Sequence, residues 1–293
     1  DGNAAGGIFY VPAGVSASMA FLTISNGSIY GIINDGSLSL NNCTLAHNSA
    51  PDGYGAILNQ GNLQLRNCTL ADNHGTYAGG VWNGPTSLLQ LLNCTVVSNS
   101  AFGQGSCGGI LNRFGGAVTL NNTIVSDNLG VVPNVRGPYD GNNNLVDAND
   151  IGLAPLNDYG GPTLTLSPLP GSPAVDTGSD TAAAGIPSDQ RGGPRISGDH
   201  VDIGAVELQL VTSPNPVEIS NTARLPDGSV QLAFTSAQQT SFRVFATTNL
   251  NQPFLDWPMI GFAAETPALS GQLQFTDLQA TNYTERYYRV RSP

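Results

Sequence analysis

The side chains with chemical potential in this 293-residue chain are few and crowded together. Asp176, Asp189, Arg191, Arg195 and Asp202 fall within residues 176–202, although charged residues make up only 11% of the chain. Carboxylates at that density suit acid–base work on a glycosidic bond. They also suit a hard cation held through oxygen. Asp199, His200 and Asp202 offer a second metal set, and Asp140, Asp147, Asp150 and Asp158 a third. The last four match no calcium-loop spacing and read as a solvated polar loop, so no cofactor is expected, calcium being the one ion such oxygen ligands would admit. The reading preferred here is plainer: Arg191 and Arg195, with their planar forks, tie Asp176, Asp189 and Asp202 into a network that closes the fold. His47 and His74 stand at near-equivalent places in a repeat and read as corner or surface residues rather than a catalytic pair. No Ser/His/Asp set or zinc spacing occurs, so the expectation is no catalytic, cofactor-binding or metal residue.

The elements that must position these residues are written in a repeat. NNCTLAHN (41–48), RNCTLADN (66–73), LNCTVVSN (92–99) and NNTIVSDN (121–128) share one line. Aligned on Thr44, Thr69, Thr95 and Thr123, they are spaced by 25, 26 and 28 residues. GIIN (31–34), AILN (56–59), GVWN (80–83) and GILN (109–112) precede them, and SLSL, NLQL, SLLQLL and AVTL lie between. Each repeat thus holds three short apolar runs with strand-like alternation, punctuated by Gly and Asn. Tandem repetition of three strands predicts a right-handed, single-stranded parallel β-helix. Equivalent residues then stack in ladders about 4.8 Å apart. Cys43, Cys68 and Cys94 form one ladder, with Asn122 completing it. Asn48, Asn73, Asn99 and Asn128 form another, and Asn34, Asn59, Asn83 and Asn112 a third. These asparagines are expected to take left-handed corner conformations and to bond amide to amide. Leu45, Leu70, Val96 and Val125, or its neighbour Ile124, fill the core, while the threonines face outward. Asn-x-Thr sequons at Asn42, Asn67, Asn93 and Asn121 follow from the repeat itself.

Composition narrows the partners. Lysine is absent, all 10 basic residues are Arg, and the net charge is −11. Nucleic acid, which needs a basic footprint, is not expected, nor is an anionic membrane surface. No apolar run reaches the roughly 20 residues of a membrane span. The four cysteines are even in number, but three stack on adjacent parallel strands, a poor geometry for disulfides. They read as buried thiols. Cys107 either pairs with Cys94 or stays free.

Between Asp1 and Asp35 there is no charged side chain, and the chain reads in part as a degenerate first coil. Either a larger N-terminal part or a propeptide is missing, or the segment folds back as its own cap, or it docks on a neighbouring subunit by strand addition. Ile8, Phe9, Tyr10, Val11, Phe21 and Leu22 are the candidate docking residues. Residues 131–160 read as a loop or an irregular coil.

After the coils come Gly160–Thr163, Gly171–Ala174, Asp176, Gly178, Asp189–Gly192, Pro194, Arg195 and Asp202–Glu207. This series, in the order GGPT…GSPA-D-G…DQRG-PR…DIGA-E, resembles the closing segment of secreted bacterial parallel β-helix proteins with a choice-of-anchor C-terminus. The resemblance covers about residues 1–208. It implies a secreted or surface protein, in most members without an established activity, and here no sorting signal or membrane tail follows.

Residues 209–216 (QLVTSPNP) read as a linker. Residues 217–293 read as a small immunoglobulin- or fibronectin-like β-sandwich with a hairpin turn at Asp227-Gly228 and Trp257 in its core. The ending YYRVRSP is similar to accessory modules on secreted proteins. Arg286, Arg289 and Arg291 are placed to face an acidic β-helix.

The domains expected are therefore a β-helix over 1–208, closed by an irregular segment (131–208), then the linker and the sandwich. The function expected is a non-catalytic extracellular structural or surface protein whose main partner is itself. A carbohydrate-binding adhesin is the alternative, with Tyr54, Tyr77, Trp82 and Tyr139 as stacking residues. A polysaccharide lyase or hydrolase is a further alternative that rests on fold analogy alone.

Overall fold

A computed structural model describes residues 1–3, 6–113, 115–148, 150–209, 219–235, 242–250, 257–265 and 272–291. Beyond Gln209, the expected linker lies outside the described residues. The chain divides into two compact units, Asp1–Leu210 and Val211–Pro293.

The first unit is a parallel β-solenoid. Its first sheet stacks Phe9–Val11, Ile32–Asn34, Ile57–Asn59, Val81–Asn83, Ile110–Asn112 and Val135–Arg136. The second stacks Ser16–Ala20, Ser37–Asn41, Asn62–Arg66, Leu88–Leu92 and Ala117–Asn121. The third stacks Thr23–Ser25, Thr44–Ala46, Thr69–Ala71, Thr95–Val97, Ile124–Ser126 and Leu145–Val146. The three strands per coil are joined by a short fourth that the sequence pattern did not mark, at Ser49–Ala50, His74–Gly75 and Ser100–Ala101. Residues 131–160 are in part an irregular coil: Val135, Leu145 and Asp140 each extend one of the three main sheets.

Aliphatic ladders fill the interior. Ile32, Ile57, Val81 and Ile110 come from the first sheet, Leu40, Leu65, Leu91 and Leu120 from the second, and Leu45, Leu70, Val96 and Val125 from the third. Each such side chain contributes about 1.5–3 kcal/mol on leaving water. A single coil cannot bury both ends of its own column, so the ladders need tandem coils.

The asparagine ladders are continuous hydrogen-bonded columns. The Nδ2 of Asn48, Asn73 and Asn99 donates to the Oδ1 of Asn73, Asn99 and Asn128 at 2.9, 2.8 and 2.9 Å. The same Oδ1 atoms also accept the backbone N–H of the preceding coil's asparagine. Asn128 passes the chain to Asn134, which ends it on the carboxylate of Asp147. Asn34, Asn59, Asn83 and Asn112 form the second column. On the coil before Asn34 the equivalent residue is Val11. That is why Asn34 Oδ1 is buried without a partner.

Three sequence expectations need correction. The ladder asparagines are not the left-handed residues. That conformation falls on Asn42, Asn67, Asn93 and Asn122 at one corner, and on His47, Asp72, Ser98 and Asp127 at the other. The ladder amides are instead spent on bonding the next coil. Second, the last repeat is displaced by one residue: Thr95 pairs with Ile124, not Thr123. Thr123, not Asn122, completes the cysteine ladder. Its hydroxyl donates to the carbonyl two residues back, as do the thiols of Cys43, Cys68 and Cys94. Third, Val11 is an interior residue, 3% exposed, and Ile8 and Phe9 pack against the core. Of the candidate docking residues, Tyr10, Phe21 and Leu22 are exposed.

All four cysteines are free and buried. Burial holds Cys107 at a pKa of about 11 and Cys68 well above the usual thiol value. The hydrogen bond to Cys68 raises Cys43.

The second unit is antiparallel and sandwich-like. Asn221–Arg224, Val230–Thr235 and Gln272–Asp277 form one ladder, and Met259–Glu265, Phe242–Thr247 and Tyr287–Arg291 another. The two meet where Ala264 and Glu265 pair with Gln274 and Leu273. Its core is Leu232, Phe234, Phe242, Val244, Ala263 and Leu273. Asp227-Gly228 makes the hairpin turn, with Gly228 at φ +84° and Asp227 Oδ1 accepting Ser229 N–H. Trp257 is buried.

Asn73→Ala should lower unfolding stability by about 2–4 kcal/mol, because it strands buried partners on both neighbouring coils. Urea denaturation measures this, and a loss below about 0.5 kcal/mol would show that the column adds nothing. The four thiols should resist Ellman's reagent in the native protein and react only after denaturation.

Candidate functional site

The crowded charges lie in a segment, 163–207, that runs along the outer face of the third sheet. We call it the clasp. The face it covers is the row of repeat threonines, and Thr44, Thr69 and Thr95 are at most 1% exposed, not outward to solvent. Thr44 Oγ1 donates to Leu164 O at 2.5 Å and accepts Gln190 Nε2 at 2.8 Å. Thr69 Oγ1 donates to Gln190 Oε1 at 2.6 Å, and Thr95 Oγ1 accepts Ala205 N–H at 3.0 Å. The left-handed corners join in. Asn42 donates to Asp189 O, Asn67 to Ser188 O and Asn122 to Ser179 O. The sequon residues Asn42, Asn67 and Asn93 are therefore buried. Below this polar row, Ala71, Val97 and Ile124 form a second apolar core with Ile151, Leu166, Ala174 and Ile203.

The charged residues are arranged as follows. Asp189 is fully buried. Its Oδ1 accepts Arg191 N–H and Gly193 N–H, and its Oδ2 accepts the Arg191 side chain at 2.8 Å and Glu207 N–H. Asp202 accepts Asp176 N–H at 2.8 Å and Leu208 N–H at 2.5 Å. Arg195 bonds Asp202 O and Gly204 O and pairs with Glu207 Oε2 at 3.3 Å. Glu207 accepts Ser197 N–H and Asp202 N–H. Asp176 has left-handed backbone (φ 54°) and accepts His200 N–H.

Of the five residues singled out from sequence, only Arg191 and Asp189 are paired with each other by side chain. The carboxylate facing Arg195 belongs to Glu207, which the sequence reading placed in the motif without a role. Gln190, which bridges two coils, was missed in the same way; its position between Asp189 and Arg191 was the available signal. Carboxylates whose oxygens already accept rigid backbone N–H groups are poorly disposed to take a substrate's proton.

Asp199, His200 and Asp202 do not converge. His200 faces Asp180 Oδ2 at 3.0 Å, whereas Asp202 turns inward. Asp147 is spent on Asn134, and Asp158 accepts Gly160 N–H. Among the described residues no three His, Cys, Asp or Glu side chains gather as metal ligands. His74 sits beside Ser100 and Phe102.

A second surface feature lies on the first sheet. Ile33, Leu58, Trp82 and Leu111 form one ladder on its outer face, where Leu111 is buried with Ala78 and Cys107 and Tyr54 and Trp82 pack against them. Tyr54 packs between Tyr77 and Trp82, with ring centroids 5.6 and 5.1 Å away. Three of the four candidate stacking aromatics thus come together, while Tyr139 lies beside Asp140, which bridges to Thr119 of the second sheet.

The charged clasp has a signed pH dependence. Burial lifts Glu207 from 4.5 to about 7 and also raises Asp202. The hydrogen bond to Asp180 raises His200. A raised acid binds its proton more tightly folded than unfolded, so its contribution is full below the unfolded pKa and is lost as pH rises through the folded one. Relative to Glu207→Gln, the wild-type protein should lose stability as pH rises from 4.5 to about 7. Thermal melts of both proteins across that window check this, and a constant difference would show that Glu207 is not shifted.

No family model matches the chain, and no curated protein or solved structure is significantly similar to it.

Proposed function

We propose that the protein is a non-catalytic extracellular or cell-surface structural solenoid that assembles with copies of itself through its first coil. The observation that carries this reading is the apolar rim of that coil. Tyr10, Val15, Phe21, Leu22 and Ile29 are 41–60% exposed there. The strands Phe9–Val11, Ser16–Ala20 and Thr23–Ser25 each stand at the edge of a parallel sheet. An apolar rim beside unpaired strand edges is a template for another chain. A head-to-tail contact of this kind, unclosed, makes a fibre. The chemistry of the clasp supports the non-catalytic part, since its acids are bound to backbone N–H groups and arginines. The closing motif's similarity to choice-of-anchor β-helix proteins supports the extracellular setting.

A second reading, carbohydrate binding, is favoured by one observation: the Tyr54–Tyr77–Trp82 cluster on the outer face of the first sheet. Stacking rings of this kind suit the apolar face of a sugar.

Negative-stain microscopy and sedimentation across concentration test the primary reading. Ordered oligomers or filaments are expected, and Phe21→Glu with Ile29→Glu should leave monomers. A monomer at every concentration would overturn it. Pectins and alginates, with or without calcium, should not be turned over. If a glycan array gives hits that Trp82→Ala abolishes, the second reading takes precedence.

A further inference from the structure

The second unit holds a cleft of about 390 Å³ between the strand Asn221–Arg224, the short helical turn Leu278–Asn282 and the strand Tyr287–Arg291. Its walls include Arg224, Tyr283, Arg286, Tyr287, Tyr288 and Thr222, and among the described residues no Asp or Glu lines it. Two carboxylates stand beside this lining: Asp277 matches Arg286 and accepts Tyr288 Oη–H, and Glu285 accepts Tyr287 Oη–H, so Arg224 is the cation that gives the cleft its local positive charge in a chain of net charge −11.

Arg286 is held ready in this wall. Its Nε pairs with Asp277 Oδ2 at 3.2 Å, and its guanidinium lies 4.3 Å from the centre of the Tyr283 ring. Asp277 is itself fixed, accepting Tyr288 Oη–H at 3.0 Å and Gln279 N–H at 3.0 Å. The Nη1 of Arg286 is shielded from water and has no hydrogen-bond partner. An unpaired guanidinium N–H away from solvent costs free energy, and a small shift of the side chain toward the cleft would let an arriving acceptor recover it. Arg224, at the cleft's edge, is steadied by its Nε bond to Gly228 O at 3.3 Å. The planar fork of arginine matches a carboxylate. Tyrosine faces match the apolar face of a pyranose ring. The volume lies at the small end of ligand pockets, about 300–1,000 Å³, which suits one or two sugar units.

We propose that this cleft binds an acidic sugar, with the uronate carboxylate on Arg286 and Arg224 and the ring against the tyrosines. The lining residues all belong to the second unit, and the proposal does not depend on self-assembly.

Calorimetry on the full chain tests it with three probes: uronate trisaccharides (galacturonate and glucuronate), the neutral galactose trisaccharide, and a short peptide with a free C-terminal carboxylate. The uronate sugar should bind and weaken with added salt, and the neutral sugar should bind at least tenfold more weakly. Arg286→Gln leaves Asp277 buried without its cation, so the exposed Arg224→Gln and Tyr283→Ala carry the test. Each should weaken uronate binding about tenfold, Arg224→Gln through one charge-assisted hydrogen bond and Tyr283→Ala through the lost ring contact, with Arg224→Gln leaving the melting temperature unchanged. No uronate binding, equal binding of the neutral sugar, or tighter binding of the peptide would each overturn the proposal.

Discussion

A primary amide buried in an apolar solenoid has to find both a donor and an acceptor, and here the supply comes from the neighbouring coil. Asn73 illustrates the constraint. Its oxygen takes two donors from Asn48, and its nitrogen reaches Asn99 and the Leu45 carbonyl. Remove one coil's amide and two others are left incomplete, at a cost that low dielectric magnifies. The aliphatic ladders hold the coils together, but they tolerate sliding far better than an amide column does. The asparagines therefore set the register, and everything carried on the outer faces inherits it.

That inheritance explains how the clasp is positioned. Its hydrogen bonds fall on equivalent threonines and corner asparagines only because those residues are stacked. The charged residues it carries then settle against one another and against turns of their own backbone. Arg195 remains costly even so, since burial lowers its pKa and its Nε has no partner. The second unit uses its arginines differently. Arg286 pairs with the nearby Asp277, and Arg289 lies 5.6 Å from the Trp257 ring centre. These local partners come from within the sandwich, so they do not require the acidic neighbour the sequence suggested.

The solenoid was legible in the sequence because its determinants are local and repeated. Period, the three main strands, thiol burial and the amide columns all follow from one aligned line, whereas the short fourth strand, two residues long, is too brief to show an alternation. Alignment by letter failed at the last repeat, where a threonine hydroxyl does the work of a cysteine thiol and the identical letter sits one place early. The outward threonines were misread for a different reason. What covers Thr44 and Thr69 is Gln190, 146 and 121 residues further on. Nothing in a local pattern announces such a contact. The Arg–Glu207 pairing was likewise invisible, because several acids compete for each arginine and only the turn geometry chooses. The aromatic cluster was half visible: the residue types were suggestive, but their meeting depends on coil stacking.

The clasp has one more consequence. Its anchors touch successive coils at Asn42, Asn67, Thr95 and Asn122. It works as a gauge cut to a fixed number of turns. Insertion or loss of one whole repeat would keep the interior ladders intact, yet would shift the anchors beyond that point by about 4.8 Å, out of hydrogen-bonding reach. Solenoids usually vary in length by gaining or losing repeats. In this one, the coils between the first and last anchor and the closing segment have to change together, so that span is held to its coil count by a stretch of chain that lies outside the coils.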